Sequence, residues 1–143
     1  NLHHAVMIGT HGADVVFTNA TLHEIYAPKA SLPRARFTGA TLDSANFVAA
    51  DLSDADFSQA SLAHANLQEA NLRGAIFNGA DLSSARLDAT DIHHANFSGA
   101  NLSTVTGLTQ AQLDTACIDS QTPLPAELRR PVPCATIKKT PAH

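Results

Sequence analysis

A period of five residues governs most of this chain. From Ala35 it falls into fives: ARFTG, ATLDS, ANFVA, ADLSD, ADFSQ, ASLAH, ANLQE, ANLRG, AIFNG, ADLSS. Ala holds the first place at Ala30 and every fifth residue to Ala85, and again at Ala95 and Ala100. Leu, Phe or Ile holds the third place from Leu32 to Leu102, and the second place is usually Asp, Asn, Ser or Thr. A longer period lies inside the first: Phe17, Phe37, Phe57, Phe77 and Phe97 recur every twenty residues. Twenty built from fives means four units per turn of chain, with like residues stacked turn over turn. The pattern predicts a solenoid.

Residues two apart in an extended segment share a face, so the first- and third-place side chains point inward and the second-place residue points out. One unit cannot bury its apolar residue alone, so neighbouring coils must stack to make a continuous core. Ala suits a place near a corner, where only a methyl group fits. An amphipathic helix needs apolar residues three and four apart, and a strict five leaves one helical face, so the period overrules the helix-favouring Ala content. The expected inward columns include Phe17, Phe37, Phe57, Phe77 and Phe97, and beside them Leu22, Leu42, Leu62, Leu82 and Leu102.

The repeated A(D/N)LXX motif resembles that of the pentapeptide-repeat proteins, over about residues 15–104. The resemblance implies an all-β solenoid, a right-handed quadrilateral parallel β-helix. About five coils at the spacing of paired strands would stand roughly 24 Å tall. The family motif carries no catalytic residue to transfer, and no catalytic, cofactor-binding or metal-binding residue is expected here. The segment GLTQAQLDTAC also resembles the C-terminal extension of many bacterial members.

The expected organisation is a β-helix over 1–104 with an irregular first coil over 1–30, a capping helix within 105–120, and an extended Pro-rich tail over 121–143. Thr109 followed by Gln112 reads as a capping box, with Leu113, Ala116 and Cys117 on one helical face. Pro28 and Pro33 lack amide donors, so a looser ladder or a bulge is expected between His23 and Pro33.

Net charge is −4, divided unevenly: residues 1–104 hold five Lys/Arg against ten Asp/Glu, and 105–143 hold four against three. This mildly acidic rod with a weakly basic tail does not point to direct nucleic-acid binding. No stretch approaches the length of an apolar membrane span, so membrane association is expected only through a partner. The chain starts at Asn1 with no initiator Met. A removed signal peptide would mean a periplasmic protein, and a trimmed piece would leave the cytoplasm open. Cys117 and Cys134 are the two cysteines. In an exported chain they would form a disulfide pinning the tail, with a loop-closure contribution of about 3 kcal/mol.

No Gly-x-Ser-x-Gly, P-loop or dinucleotide fingerprint is present. His4, Glu24, Ser44, His64 and Ser84 form one outward column. With His4 and His64 several coils apart, that column supplies no set of three or four metal ligands, and reads as surface variability. The informative exposed positions are apolar: Val16 and Ile76 in the second place on the Phe-column face, and Tyr26 and Val48 on the next. A flat β surface with an apolar stripe is a docking face, and Arg129 and Arg130 are candidate contacts in the tail. Arg36 and Asp56 are expected as a surface pair.

Two functions follow. The first is a non-catalytic scaffold subunit that docks on and stabilises a larger assembly, such as a periplasmic membrane-associated enzyme. In size and presumed export the chain is similar to the small third subunit of quinohaemoprotein alcohol dehydrogenases. The alternative, drawn from other members of the resembled family, is a DNA mimic that binds gyrase.

Overall fold

The computed structural model describes residues 1–131. Its backbone is held by isolated parallel β-bridges, each joining a second-place residue to the one twenty further on, from Val6↔Tyr26 to Arg86↔Thr106. Four bridged columns result, beginning at Val6, His11, Val16 and Thr21. The Val16 and Tyr26 columns are half a turn of chain apart and so lie on opposite faces. No continuous strand forms among the described residues, because a corner interrupts the extended backbone every five residues.

Each corner is a β-turn, closed at all but the Gly12–Val15 corner by a first-place N–H donating to the preceding third-place carbonyl, as in Ala40 N to Phe37 O at 2.9 Å. The fifth-place residue has positive φ at every corner from His4 to Gly99, Gly or not. A left-handed residue at a turn's third position is what reverses the chain so tightly. Ala follows the corner and packs inside it, where its methyl group fits. Between coils, Phe37 N donates to Asp56 O at 2.7 Å, Arg36 N to Val15 O at 2.8 Å, and Gly39 N to Ser58 O at 2.9 Å.

These bonds leave over the fourth-place N–H, and that gap explains the preference at the second place. Each second-place Asp or Asn accepts from the N–H two residues on, as Asp56 does from Ser58 at 2.9 Å and Asn66 from Gln68 at 3.1 Å. The same bond recurs at Asn1, Asn46, Asp51, Asn71, Asp81, Asp91, Asn96 and Asn101. It is a local side-chain bond of the Asx type.

This chemistry corrects the expectation for His23–Pro33. Pro28 and Pro33 occupy the fourth place, the second turn position, where proline's φ is favoured and no ladder donor is lost. Their carbonyls still accept, from Gly9 N at 3.1 Å and Asp14 N at 3.0 Å. The bridges at Tyr26 and Ser31 continue unbroken. Where the fourth residue is Pro, the second is Tyr or Ser: with no N–H to satisfy, Asp and Asn are absent.

The first coil is likewise more regular than expected. His4, Gly9, Asp14 and Asn19 all have positive φ, and Val6, His11 and Val16 all bridge onward. What it lacks is cover: Met7, Val15 and Phe17 are only partly buried, and Leu2 is exposed.

From Leu22 the third-place residues are buried, including Phe37, Phe57, Phe77, Phe97, Leu42, Leu62, Leu82 and Leu102. The phenyl rings stack nearly parallel, with centroids 5.2 Å apart from Phe17 to Phe37 and 4.7–4.9 Å beyond. Burying each stabilises the fold by about 1.5–3 kcal/mol. Thr90 interrupts the Ala column, and its hydroxyl donates to Leu67 O at 2.7 Å.

After Thr106 the register ends in one short helix, α1 (Gln110–Leu113), with both halves of the Thr109–Gln112 capping box formed. Gln112 also donates from Nε2 to Thr90 O at 2.9 Å and Leu87 O at 3.0 Å. The Thr90 bond replaces the one a further coil would make. The helix is a single turn, so Ala116 and Cys117 do not share it with Leu113; all three are buried by different means. Cys117 lies beyond α1 and bridges Asn96, with Phe97 N donating to Cys117 O at 2.8 Å. The chain then crosses the end of the Phe column. Thr122 is buried with its hydroxyl against Phe97 O at 3.1 Å, and Leu124 and Leu128 pack on the core. The expected disulfide partner, Cys134, lies outside the described residues, as does the tail from 132 onward.

Candidate interaction surface

The interior is filled by side chains, so function must be sought outside. Val16 is exposed on the Phe-column face (63%), as is Ile76 at 37%. They do not make a stripe: the bridges place Arg36 and Asp56 between them in the same column. Tyr26 is exposed, but on the face opposite Val16 rather than the next one, and Val48 is half-buried at a corner. The four expected apolar contacts are therefore not brought together.

The exposed apolar side chains gather elsewhere, at the N-terminal edge. Val6 is 68% exposed and bridged to Tyr26, and Ile8 follows at 59%. With Leu2 they border the thinly covered Met7. The signal was in the sequence: Val6 holds a second place and Ile8 a fourth, both usually polar.

Charge on the faces is largely answered locally. Arg34 makes a two-pronged pair with Asp14, both bonds 2.8 Å, and this hydrogen-bonded guanidinium holds the Asp14 carboxyl below its ordinary pKa. Asp91 receives His93 Nδ1 at 2.6 Å and Arg73 Nη1 at 3.4 Å. Partial burial works against ionisation there, but these bonds prevail and the Asp91 pKa is lowered. Arg36 and Asp56 are coil neighbours yet form no ion pair: the carboxylate is taken by Ser58 N and by Thr38 Oγ1 at 3.2 Å.

Arg130, a candidate contact in the tail, is bonded within the chain. Its guanidinium donates to Thr122 O at 3.0 Å and to Asp119 O, tying the tail to the body. Arg129 uses its backbone: the Gln110 side-chain amide accepts from Arg129 N at 2.8 Å and donates to Arg129 O at 2.9 Å.

Two open surface depressions flank α1. One, of about 460 Å³, is lined by Gln110, Asp114, Arg129, Arg130 and Pro131. The other, about 400 Å³, lies between α1 and the Thr90–His93 corner. The Asp91–His93 pair borders it, but the hydroxyls there are committed, Thr90 to Leu67 O and Thr115 to Gln112 O. Neither hydroxyl is poised as a nucleophile. No helix among the described residues is long and apolar enough to cross a membrane.

Among solved structures, the chain is similar to HetL of the cyanobacterium Nostoc sp. strain PCC 7120, a pentapeptide repeat protein involved in heterocyst differentiation regulation. Identity is 23%, covering 87% of this chain and 74% of HetL with a TM-score of 0.50. The likeness is one of fold, a right-handed β-helix solenoid. It is also similar to Rfr23 of the cyanobacterium Cyanothece 51142, at 24% identity over 83% of this chain and 90% of that one, TM-score 0.42. Trypsin-treated QnrB1, a plasmid-mediated fluoroquinolone resistance protein, is 24% identical over 73% of this chain and 58% of its own, TM-score 0.36. No curated protein matches the chain. The pentapeptide-repeat family model matches in eight copies, over residues 29–59 and 65–103. With the corner chemistry and the twenty-residue ladder, that match makes the chain a member of the pentapeptide-repeat family.

Proposed function

We propose that the chain is a non-catalytic interaction subunit that docks on and stabilises a larger protein assembly. The carrying observation is the apolar edge of Val6, Ile8 and Tyr26, exposed on a solenoid with a filled interior. Pentapeptide-repeat proteins are generally non-enzymatic scaffolds, which agrees. On this reading the partner is a periplasmic, membrane-associated enzyme complex, for example a quinohaemoprotein alcohol dehydrogenase, and the subunit is exported. Cys117 pairs with Cys134, and the segment after residue 104 caps a stack of about five coils.

The gyrase-directed alternative draws on the net charge of −4. It has less support, because Arg34, Arg73 and Arg86 lie against Asp14, Asp91 and Asp88 and interrupt the acidic faces. The experiment is purification from the native host in mild detergent, followed by native and intact-mass spectrometry. Co-migration with a large membrane-associated enzyme is expected, with two hydrogens missing from the chain. Its release by Val6→Asp with Tyr26→Asp is expected too. A free, reduced, cytoplasmic dimer that inhibits gyrase supercoiling would overturn the proposal.

A further inference from the structure

We propose that the corner formed by His3, His4, His23 and Glu24 is a binding site for a divalent transition metal ion of the zinc type. The twenty-residue ladder sets the fourth and fifth places of successive coils over one another, so His3 meets His23 and His4 meets Glu24. His4 Nδ1 is 2.8 Å from Glu24 Oε2, and His23 Nε2 is 3.3 Å from Glu24 Oε1. Ligand atoms sharing one tetrahedral zinc ion lie about 3.3 Å from one another. The His3 and His23 ring centroids are 5.4 Å apart, near the ~5 Å of two imidazoles on one such ion. His3 and His4 are 5.9 Å apart by the same measure.

Among the described residues no three such side chains yet enclose a common point. Here the Glu24 carboxylate sits between the two imidazoles, one oxygen near each. All four side chains reach solvent, so rotation of Glu24 admits an ion between the carboxylate and the two ring nitrogens. Imidazole with carboxylate, and no thiolate, suits Zn²⁺, Ni²⁺ and Cu²⁺ rather than Mg²⁺ or Ca²⁺. The arrangement is particular to this corner. His64 stands between Ser44 and Ser84 in its column, and His93 and His94 stand over Arg73 and Gly74. An ion here would staple the first two coils at the end where Leu2, Met7 and Phe17 are least covered. The site does not depend on the docking reading.

The test is calorimetric titration of the untagged chain with Zn²⁺ alone at pH 7.5, with thermal melts in parallel. One ion per chain is expected, with a dissociation constant of about 10 μM or below, and 1 mM Zn²⁺ should raise Tm by about 5 °C or more. His4→Ala with His23→Ala should weaken binding at least tenfold, and Glu24→Gln should weaken it as well. His4 and Glu24 are exposed and His23 is half-buried, and circular dichroism will report that the variants keep the fold. His93→Ala with His94→Ala should bind as the parent does. Binding weaker than about 1 mM, unchanged affinity after loss of His4 and His23, or affinity that falls with His93 and His94 would each overturn the proposal.

Discussion

If second-place Asn and Asp are chosen because they satisfy the fourth-place N–H, the choice should lose its value when that N–H is removed. Asn66 and Gln68 make the cleanest pair, since the Asn66 Oδ1 bond to Gln68 N, 3.1 Å, is the one side-chain bond described for either residue. Asn66→Ala leaves a half-buried amide to water and should cost about 1 kcal/mol. Gln68→Pro places proline where Pro28 and Pro33 already sit at other corners. The Gln68 carbonyl still accepts from Ala49 N. By narrowing the unfolded ensemble it should stabilise by about 0.4–1 kcal/mol. In the Gln68→Pro background, Asn66→Ala should then cost close to nothing, a coupling of about 1 kcal/mol between the two changes. Urea denaturation of the four proteins, followed by circular dichroism at 25 °C, measures it directly. Equal costs for Asn66→Ala in both backgrounds would refute the argument, as would a Gln68→Pro chain that loses stability.

Phe57 lies between Phe37 and Phe77 with centroids at 4.8 and 4.9 Å, so Phe57→Ala should cost about 3–5 kcal/mol; a denaturation shift worth under about 1 kcal/mol would mean the column collapses freely. Gly107 has φ +77° and an added Cβ would stand 2.4 Å from Asp88 Cγ and 2.7 Å from Asp88 N. Gly107→Ala should therefore cost about 2 kcal/mol or more. Gly9→Ala, with φ +59° and open space around it, should cost about 1 kcal/mol, and equal losses in thermal melts would contradict the clash. Partial burial opposes ionisation of Asp56, but bonds from Ser58 and Thr38 leave its folded pKa below the ordinary value. Its contribution is present above about pH 3.9 and lost as pH falls through the lower folded value. Asp56→Asn should flatten the fall of Tm between about pH 4.5 and 2.5, and parallel acid limbs would exclude a role for this carboxylate.

The repeat was legible because its two periods are separable in the residues: Phe every twenty, Ala every five. Inward and outward places follow from that alone, and the buried Phe and Leu columns match them. The corner chemistry was less legible, because it depends on which N–H groups the ladder leaves over. That count needs the bond pattern, and without it Pro28 and Pro33 look disruptive when they occupy the one place where a missing donor is harmless. Face assignment failed for a related reason. Tyr26 is ten residues from Val16 and Arg36, half a turn of chain, and an estimate that skipped one corner moved it to the wrong side. Arg130, a candidate contact in the tail, bonds through its guanidinium to the Asp119 and Thr122 carbonyls of its own chain, which no sequence pattern announces. The His3–Glu24 corner is not legible along any single outward column, because its four side chains belong to two.

The ladder also sets rules for how such a chain can change length. Up to Thr106 its inter-coil backbone bonds join residues offset by nineteen or twenty-one, and all corners but Gly12–Val15 are closed by a bond within four residues. Excising any twenty consecutive residues between 41 and 100 would rejoin positions of identical role, with Phe still over Phe. Excising five would keep every corner intact but rotate all that follows by a quarter turn; taken from between 58 and 81, it would place Leu82 over Phe57. Excising one would turn inward residues outward for the rest of the coil. Lengths in this architecture are thus graded like a dial, with coarse and fine divisions, and duplication or loss by recombination is tolerated at the coarse marks alone.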